Sequence, residues 1–251
     1  MQGQKLIELH QIQINQLEQL LDEIAASYGF IGGLYLVSLN ASHELGSQFA
    51  MTKHNRRLDF IYSNDDIRRL RKEFIQVAIH KEPNHNLYLK TNYAIFSYEG
   101  EDEATRRCVN VLKKYGVRSR LFIRLEDPYY PEFSPEFIMM SDKAPVELEQ
   151  QGEQIREELT QRLDQFHQLA FASNVTSSIN PLTGLGLVND KCMEILRMLA
   201  DGHSRPDIAD KVFMTERGVD YHLIKLRALL NAKNNVHLIS ECYRRRVLDL
   251  S

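Results

Sequence analysis

The chain has 251 residues, 43% of them apolar and 26% charged, with a formal net charge of −3. That length is enough for two domains, and no stretch reaches the roughly 18 apolar residues of a membrane span. The first helix is too rich in Gln and Glu to be a secretion signal, so a cytoplasmic protein is expected, with no membrane partner. Cys108, Cys192 and Cys242 are odd in number and widely spaced, which favours reduced core thiols over a disulfide framework or a zinc site.

In chain order, Leu6 to Tyr28 carries Leu6, Ile7, Ile12, Ile14, Leu17, Leu20, Leu21 and Ile24 at helical spacing, and the Tyr28-Gly29 pair ends it. Phe30 to Leu39 reads as a strand from its aromatic and branched residues, and further strands are expected at 58–62, 87–98, 118–125 and 136–141. Helices are expected near 64–79 and 101–115, the first opened by Asp65-Asp66, whose charges suit a helix N-terminus. This order predicts an α+β protein whose N-terminal region is an α/β/α sandwich with an antiparallel sheet. The aromatics Tyr35, Phe60, Tyr62, Tyr88, Tyr93 and Phe96 are candidates to line a small-molecule pocket; filling a core is the alternative.

Glu147 to Ala172 reads as one long charged helix with a narrow apolar seam of Leu148, Ile155, Leu159, Leu163, Phe166 and Leu169. The seam suits pairing with a second copy's helix or packing on the protein's own sheet. The polar run 173–181 is expected to be a linker between a sensor-like region, 1–172, and a C-terminal domain, 182–251.

That last region is the most specific part of the chain. A helix with Cys192, Ile195, Leu196 and Leu199 on its buried side ends at Asp201-Gly202, where glycine serves as the stop. Ser204 can cap a short helix to about Val212, with Asp207 at the third position and Pro206 in the first turn, where its missing N–H costs nothing. Phe213-Met214 turn the chain and Thr215 caps a second helix with Val219, Leu223, Leu226 and Leu230 as one buried stripe. A final helix is expected to pack through Val236, Ile239, Cys242 and Tyr243, and Arg244 to Arg246 close it.

A short helix, a tight turn and an amphipathic second helix make the shape of a DNA-reading helix-turn-helix. Arg217, Asp220, Tyr221, Ile224 and Ala228 point away from the stripe, the face a reading helix presents to base edges, with Lys225 and Arg227 on its flanks; Arg205 and Thr215 complete the DNA-binding candidates, all of these but Ala228 being expected to meet DNA. Residues 181–251 hold 11 Lys and Arg against 9 Asp and Glu, a weak excess, so useful binding to double-stranded DNA requires a homodimer on paired half-sites. No glycine-rich phosphate loop, nucleophile elbow or His-Glu-x-x-His occurs, and the nine histidines are scattered, His43, His54, His80 and His85 being the closest. No catalytic residue, cofactor or metal site is therefore expected.

The C-terminal segment resembles the DNA-binding domain of the LuxR family. Leu196, Ala200-Asp201-Gly202, Asp207-Ile208-Ala209, Thr215-Glu216-Arg217, Val219 and His222-Leu223 stand where that family has its leucine, Ala-Glu-Gly, Glu-Ile-Ala, Ser-Glu-Arg, valine and His-Leu. Cys192, Gly218 and Leu229 depart from it, as do Asp220 and Ile224 at positions that often hold cations. Further upstream, Val109 to Tyr115, Gly116-Val117, Leu121 to Leu125 and Phe137 to Ser141 resemble the helix, Gly-Leu, strand and strand succession of the family's autoinducer-binding domain. The two tryptophans and the Asp-Pro pair on which that family's pocket relies are missing; Asp127-Pro128 lies after the strand, and Arg120 stands where the family tends to have glycine. The resemblance implies a dimeric transcription regulator controlled by a small molecule other than a standard acyl-homoserine lactone, or controlled without a ligand. A receiver domain, the rival N-terminal module, would need an acidic pair after the first strand, a central phosphoacceptor aspartate and a later lysine, none of which is so placed. The alternative reading is an interaction protein whose helix-turn-helix does not read DNA.

Overall fold

The computed structural model describes residues 2–49, 60–78, 82–98, 100–173 and 179–248. They fall into two compact units. One gathers Met1–Val37, Phe60–Pro128 and Ser134–Val175, and the other Ser38–Asp59, Tyr129–Phe133 and Thr176–Ser251.

The first unit is built on the sheet. Helix α1 (Gln2–Ser27) ends at Gly29, whose φ of 71° is the left-handed turn expected of a glycine stop. Strand β1 (Gly32–Leu39) is followed by α2 (Glu44–Phe49), a short helix not expected from the sequence that belongs to the second unit, and the first unit resumes at β2 (Ile61–Tyr62). Then come α3 (Asp65–Ala78), α4 (His85–Lys90), β3 (Tyr93–Phe96), α5 (Glu103–Lys114), β4 (Ser119–Arg124), β5 (Phe133–Ser141) and α6 (Pro145–Ala172). The strand order is β2-β1-β5-β4-β3. The β1–β2, β3–β4 and β4–β5 pairs are antiparallel. Beside them, the Ile31 N–H donates to the Met140 carbonyl at 2.8 Å. The expected antiparallel sheet is therefore present.

Register assigns the side chains to faces. Opposite Arg120, Phe122 and Arg124 of β4 stand Phe96 and Ala94 of β3, and Met140, Ile138 and Glu136 of β5. Because strand side chains alternate, all of these share one face, and Leu121, Ile123, Tyr93, Ile95, Phe137 and Met139 share the other. Helix α6 packs on the second face, with α1 beside it. Helices α3 and α5 pack on each other, and Phe74 of α3 brings them to the first face, under the guanidinium of Arg120. Their stripes follow the helical period: Ile67, Leu70, Phe74 and Ala78 in α3, and Thr105, Cys108 and Leu112 in α5.

Three expectations are corrected. The span 87–98 is not one strand, because its first part is the end of α4. The Thr91 hydroxyl bonds both backbone groups of Tyr93, and Arg124 donates to the carbonyls of Tyr88 and Thr91, which supplies the partners a helix C-terminus lacks. In α6 the seam is wider than expected: Leu148, Leu159, Leu163 and Phe166 are buried together with His167, Ala170 and Phe171, while Leu169 is exposed. The seam is thus occupied by the protein's own sheet and α1. Finally, Val236 is 82% exposed and the last helix packs through Leu238 and Cys242. Val236 lies two helical steps before Leu238, about 200° of rotation, which turns it to solvent.

The second unit contains α7 (Pro181–Gly184), α8 (Asp190–Ala200), α9 (Arg205–Lys211), α10 (Glu216–Leu229) and α11 (Asn235–Arg244). Of the expected linker, residues 174–178 lie outside the described residues. The expected strand residues 58–59 and helix residue 79 also lie outside them, as do His54 and His80. Asn180, fully buried, caps α7 and donates to the carbonyl of Arg245 at 2.7 Å, tying the start of the unit to its end. All three cysteines are buried and free. Among the described residues, no helix is long and apolar enough to cross a membrane, and no cluster of acidic, His and Cys side chains could hold a metal.

Candidate nucleic-acid interface and sensor face

Each long helix of the C-terminal unit begins at a side-chain cap, which explains why its boundaries are legible in the sequence. Asn189 accepts from Cys192 N–H at 2.9 Å, Thr215 from Gly218 N–H at 3.1 Å and Asn234 from His237 N–H at 2.8 Å. Ser204 and Asp207 form a reciprocal capping box, and their hydrogen bonds hold the Asp207 carboxyl below the usual carboxylate range. Gly202, at φ 81°, stops α8 as expected. Between α9 and α10 the chain turns at Phe213, a non-glycine residue at φ 54°, with Met214 N–H bonded to the Ala209 carbonyl at 2.9 Å. The left-handed conformation costs a residue with a Cβ about 1 kcal/mol, yet Phe213 is 94% exposed and contributes no core packing to offset it.

Val219, Leu223 and Leu226 bury one side of α10. That leaves Arg217, Tyr221, Ile224 and Lys225 exposed on the outside, with Asp220 half-exposed beside them. The eight residues expected to meet DNA are not equally free. Asp220 pairs with Arg205 of α9 at 3.3 Å, so the acidic residue on this face is neutralised within the motif. The Thr215 hydroxyl is committed to its cap. Arg227 donates to Asn235 at 3.2 Å and braces α11, while the Lys225 ammonium lies 5.4 Å from the centre of the Tyr221 ring. Arg217 forms no ion pair among the described residues. Tyr221, Ile224 and Phe213 add exposed apolar surface to the same region.

Arg244 and Arg245 do not simply close the last helix. Both pair with Glu132, at 3.0 and 2.8 Å, and with Glu241, and all four belong to the C-terminal unit. Burial raises the Glu241 carboxyl, but the two arginines outweigh it and hold it below its ordinary value. The sequence shows the basic run but offers no sign that Glu132 lies against it.

The sheet separates the six aromatics proposed for a pocket. Tyr35 and Tyr93 lie on the α6 side: Tyr35 packs against Phe137 and Phe166, and the Tyr93 hydroxyl donates to the Gly152 carbonyl at 3.1 Å. Phe60, Tyr62, Tyr88 and Phe96 lie on the α3 side. Phe60 stacks on Tyr62 under Arg71 and Arg68, and Phe96 stacks on Phe122 beside Tyr88.

Two buried polar groupings were not foreseen. On the α6 side, the Tyr35 hydroxyl meets His167 Nδ1 at 2.7 Å and His167 Nε2 meets Asp127 at 2.8 Å. Burial, and then the Asp127 charge, push the Tyr35 phenol well above its usual range. On the α3 side, Arg124 pairs with Glu136 at 2.9 Å and Tyr88 donates to the same carboxylate. Arg120 lies among Phe74, Phe96 and Tyr98, with Glu82 at 3.3 Å. Arg120 and Arg124 had a readable signal, since charges at alternate positions of an apolar strand must share a face; their partners had none.

Comparison with known proteins places the second unit. Residues 190–242 match the family described as bacterial regulatory proteins, luxR family. The chain is 26% identical over 90 residues to the oxygen regulatory protein NreC of two Staphylococcus epidermidis strains, an alignment covering 36% of this chain. The chain spans about 40% of the length of those curated relatives. Among solved structures, it is similar to Escherichia coli SdiA in space group P6522, with TM-score 0.46 at 12% identity, covering 94% of this chain and 92% of that one. It is also similar to SdiA in complex with octanoyl-rac-glycerol, with TM-score 0.40 at 13% identity, covering 96% and 95%. The chain thus carries, at its C-terminus, a helix-turn-helix domain of the luxR family of bacterial regulatory proteins.

Proposed function

We propose that this chain is a cytoplasmic, homodimeric transcription regulator that reads double-stranded DNA with α10 and is controlled through its N-terminal region, residues 1–172, joined by 173–181 to the DNA-binding domain 182–251. The observation that carries the reading is the outward face of α10, where Arg217, Tyr221 and Lys225 are exposed on a capped, packed helix within a luxR-family match. Tyr221 and Ile224 are assigned to base edges. Arg217 shares that outward face, and Lys225 is assigned to phosphates, with Arg205 and Thr215 near the backbone, and Asp220 and Arg227 as the residues that orient Arg205 and α11. A helix reaches two successive major grooves only in a dimer, and the weak positive charge of the domain makes the second copy necessary for affinity. The N-terminal unit is assigned a small-molecule ligand on the α3 side of the sheet, distinct from a standard acyl-homoserine lactone, whose occupancy biases the dimer.

Gel shifts of the full chain against fragments of its source genome at two salt concentrations test this. A specific band that persists in salt and weakens across all sequences on Lys225→Ala is expected. Absence of any specific band, or a strictly monomeric complex, overturns it. The second reading, an interaction protein with a non-reading helix-turn-helix, is favoured by the Arg205–Asp220 pair and the exposed Phe213. It predicts no DNA band at either salt concentration.

A further inference from the structure

Two arginines on the α3 side of the sheet carry more donors than their surroundings accept. Arg120 is the second residue of β4 and is 4% exposed. Its guanidinium lies 4.4 Å from the centre of the Phe74 ring, 5.1 Å from Tyr98 and 5.4 Å from Phe96. Its one carboxylate, Glu82, is shared: it also accepts from the Tyr98 hydroxyl at 2.9 Å and from the backbone and side-chain N–H groups of Asn84 at 3.3 and 3.4 Å. The Arg120 Nε is buried and has no acceptor.

Arg71 of α3 adds a second cation to the same neighbourhood. Its guanidinium lies 4.9 Å from the Phe60 ring, and among the described residues it forms no ion pair; its Nε is also buried without an acceptor. Burial lowers both arginines, with Glu82 opposing, and Arg71 adds its repulsion to bring Arg120 down to about 10. Arg124, four residues along the same strand, shows the contrast, because Glu136 neutralises it. Among the described residues, the Arg71, Arg120 and Glu82 group therefore keeps one uncompensated positive charge beside an aromatic shell.

Buried donors in folded proteins are nearly always satisfied, and an uncompensated buried charge is costly. A guanidinium is matched in plane and charge by a carboxylate, phosphate or sulfonate, which accepts two parallel bonds. The rings of Phe60, Phe74, Phe96 and Tyr98 suit an aromatic or otherwise apolar body joined to that anion. We propose that Arg71 and Arg120 together hold the anionic group of a small aryl-acid ligand on the α3 side of the sheet. The proposal rests on the reading of the N-terminal unit as a ligand-binding unit and names the ligand's chemical class. A neutral ligand leaves the charge excess in place.

Calorimetric titration of the full chain with sodium benzoate and with benzamide, its neutral isostere, tests it. The expected result is that benzoate binds and benzamide binds at least about tenfold more weakly, the contribution of one charge-assisted pair. Arg71→Gln and Arg120→Gln should each weaken benzoate by about tenfold and leave benzamide within about twofold. Arg71 is on a helix surface at half burial, so Arg71→Gln keeps the test sound if the Arg120 variant fails to fold, as circular dichroism will report. Equal affinity for acid and amide, no heat with benzoate at millimolar concentration, or unchanged benzoate affinity in Arg71→Gln overturns the proposal. DNA affinity measured with and without benzoate separates the two readings: arginine-dependent benzoate binding that leaves DNA affinity unchanged keeps the anion site and defeats ligand control.

Discussion

The two faces of the sheet handle buried polarity in opposite ways. On the α6 face, Tyr35, His167 and Asp127 form a closed chain of partners, all nearly inaccessible to solvent. Across the sheet, Arg71, Arg120 and Glu82 leave two buried Nε atoms without acceptors. Both arrangements are anchored on the one sheet, Tyr35 on β1 and Arg120 on β4, and strand alternation decides which face each of these two side chains enters. A closed network stabilises and rigidifies, whereas buried donors without acceptors call for an explanation, which the proposed anionic ligand supplies. On the proposal made above, the α6 face serves architecture and the α3 face serves recognition.

The sharpest way to break this contrast is Glu82→Gln. It removes the one carboxylate beside Arg120, and urea unfolding should show a loss of about 3–5 kcal/mol, the cost of stranding a buried charge. A loss below about 1 kcal/mol would mean that solvent already compensates Arg120, and the two faces would then be alike. Tyr35→Phe probes the closed side: it removes one hydroxyl and leaves His167 Nδ1 unpaired, for an expected loss of about 1–3 kcal/mol in the same assay.

Gly152→Ala comes next. A Cβ there would stand 2.8 Å from the Tyr93 hydroxyl, so the ring must swing away and give up its bond to the Gly152 carbonyl. The expected loss is about 1 kcal/mol, and in a double-mutant cycle it should not add to that of Tyr93→Phe, because both changes remove the same contact.

A pH titration sharpens the comparison further. The Tyr35 phenol is raised in the folded protein by burial and by Asp127, so its contribution is fully present below the unfolded value near 10 and is lost as pH rises beyond it. Alkaline unfolding of the native chain should be steeper than that of Tyr35→Phe, and identical slopes would remove Tyr35 from the account. The smallest effect belongs to Arg107→Ala on α5, whose pair with Glu103 is exposed at both ends; a change within about 0.5 kcal/mol is expected by thermal melting.

Legibility in the sequence followed the range of the forces involved. Ser204 with Asp207, and Thr215 with Gly218, are separated by three residues, so the caps of α9 and α10 could be read directly. The stripe Val219, Leu223 and Leu226 follows the helical period and was equally plain. Helix α4 was not, because its end is satisfied by Arg124, more than thirty residues away. The candidate pocket aromatics were read as one set because strand composition marks burial but not face; register sends Tyr35 and Tyr93 one way and Phe96 the other.

By itself, the amino-acid sequence determined the helix-turn-helix, its caps, the α+β class and the absence of the LuxR family's tryptophans, since each depends on neighbours within a turn or on composition. Only the tertiary structure decided that Asp220 is neutralised by Arg205, that α6 covers its own sheet, and that Arg120 pairs with Glu82 while Arg71 nearby forms no ion pair among the described residues. Those outcomes depend on where distant segments meet, and charge balance in a buried space is set by what is near in space.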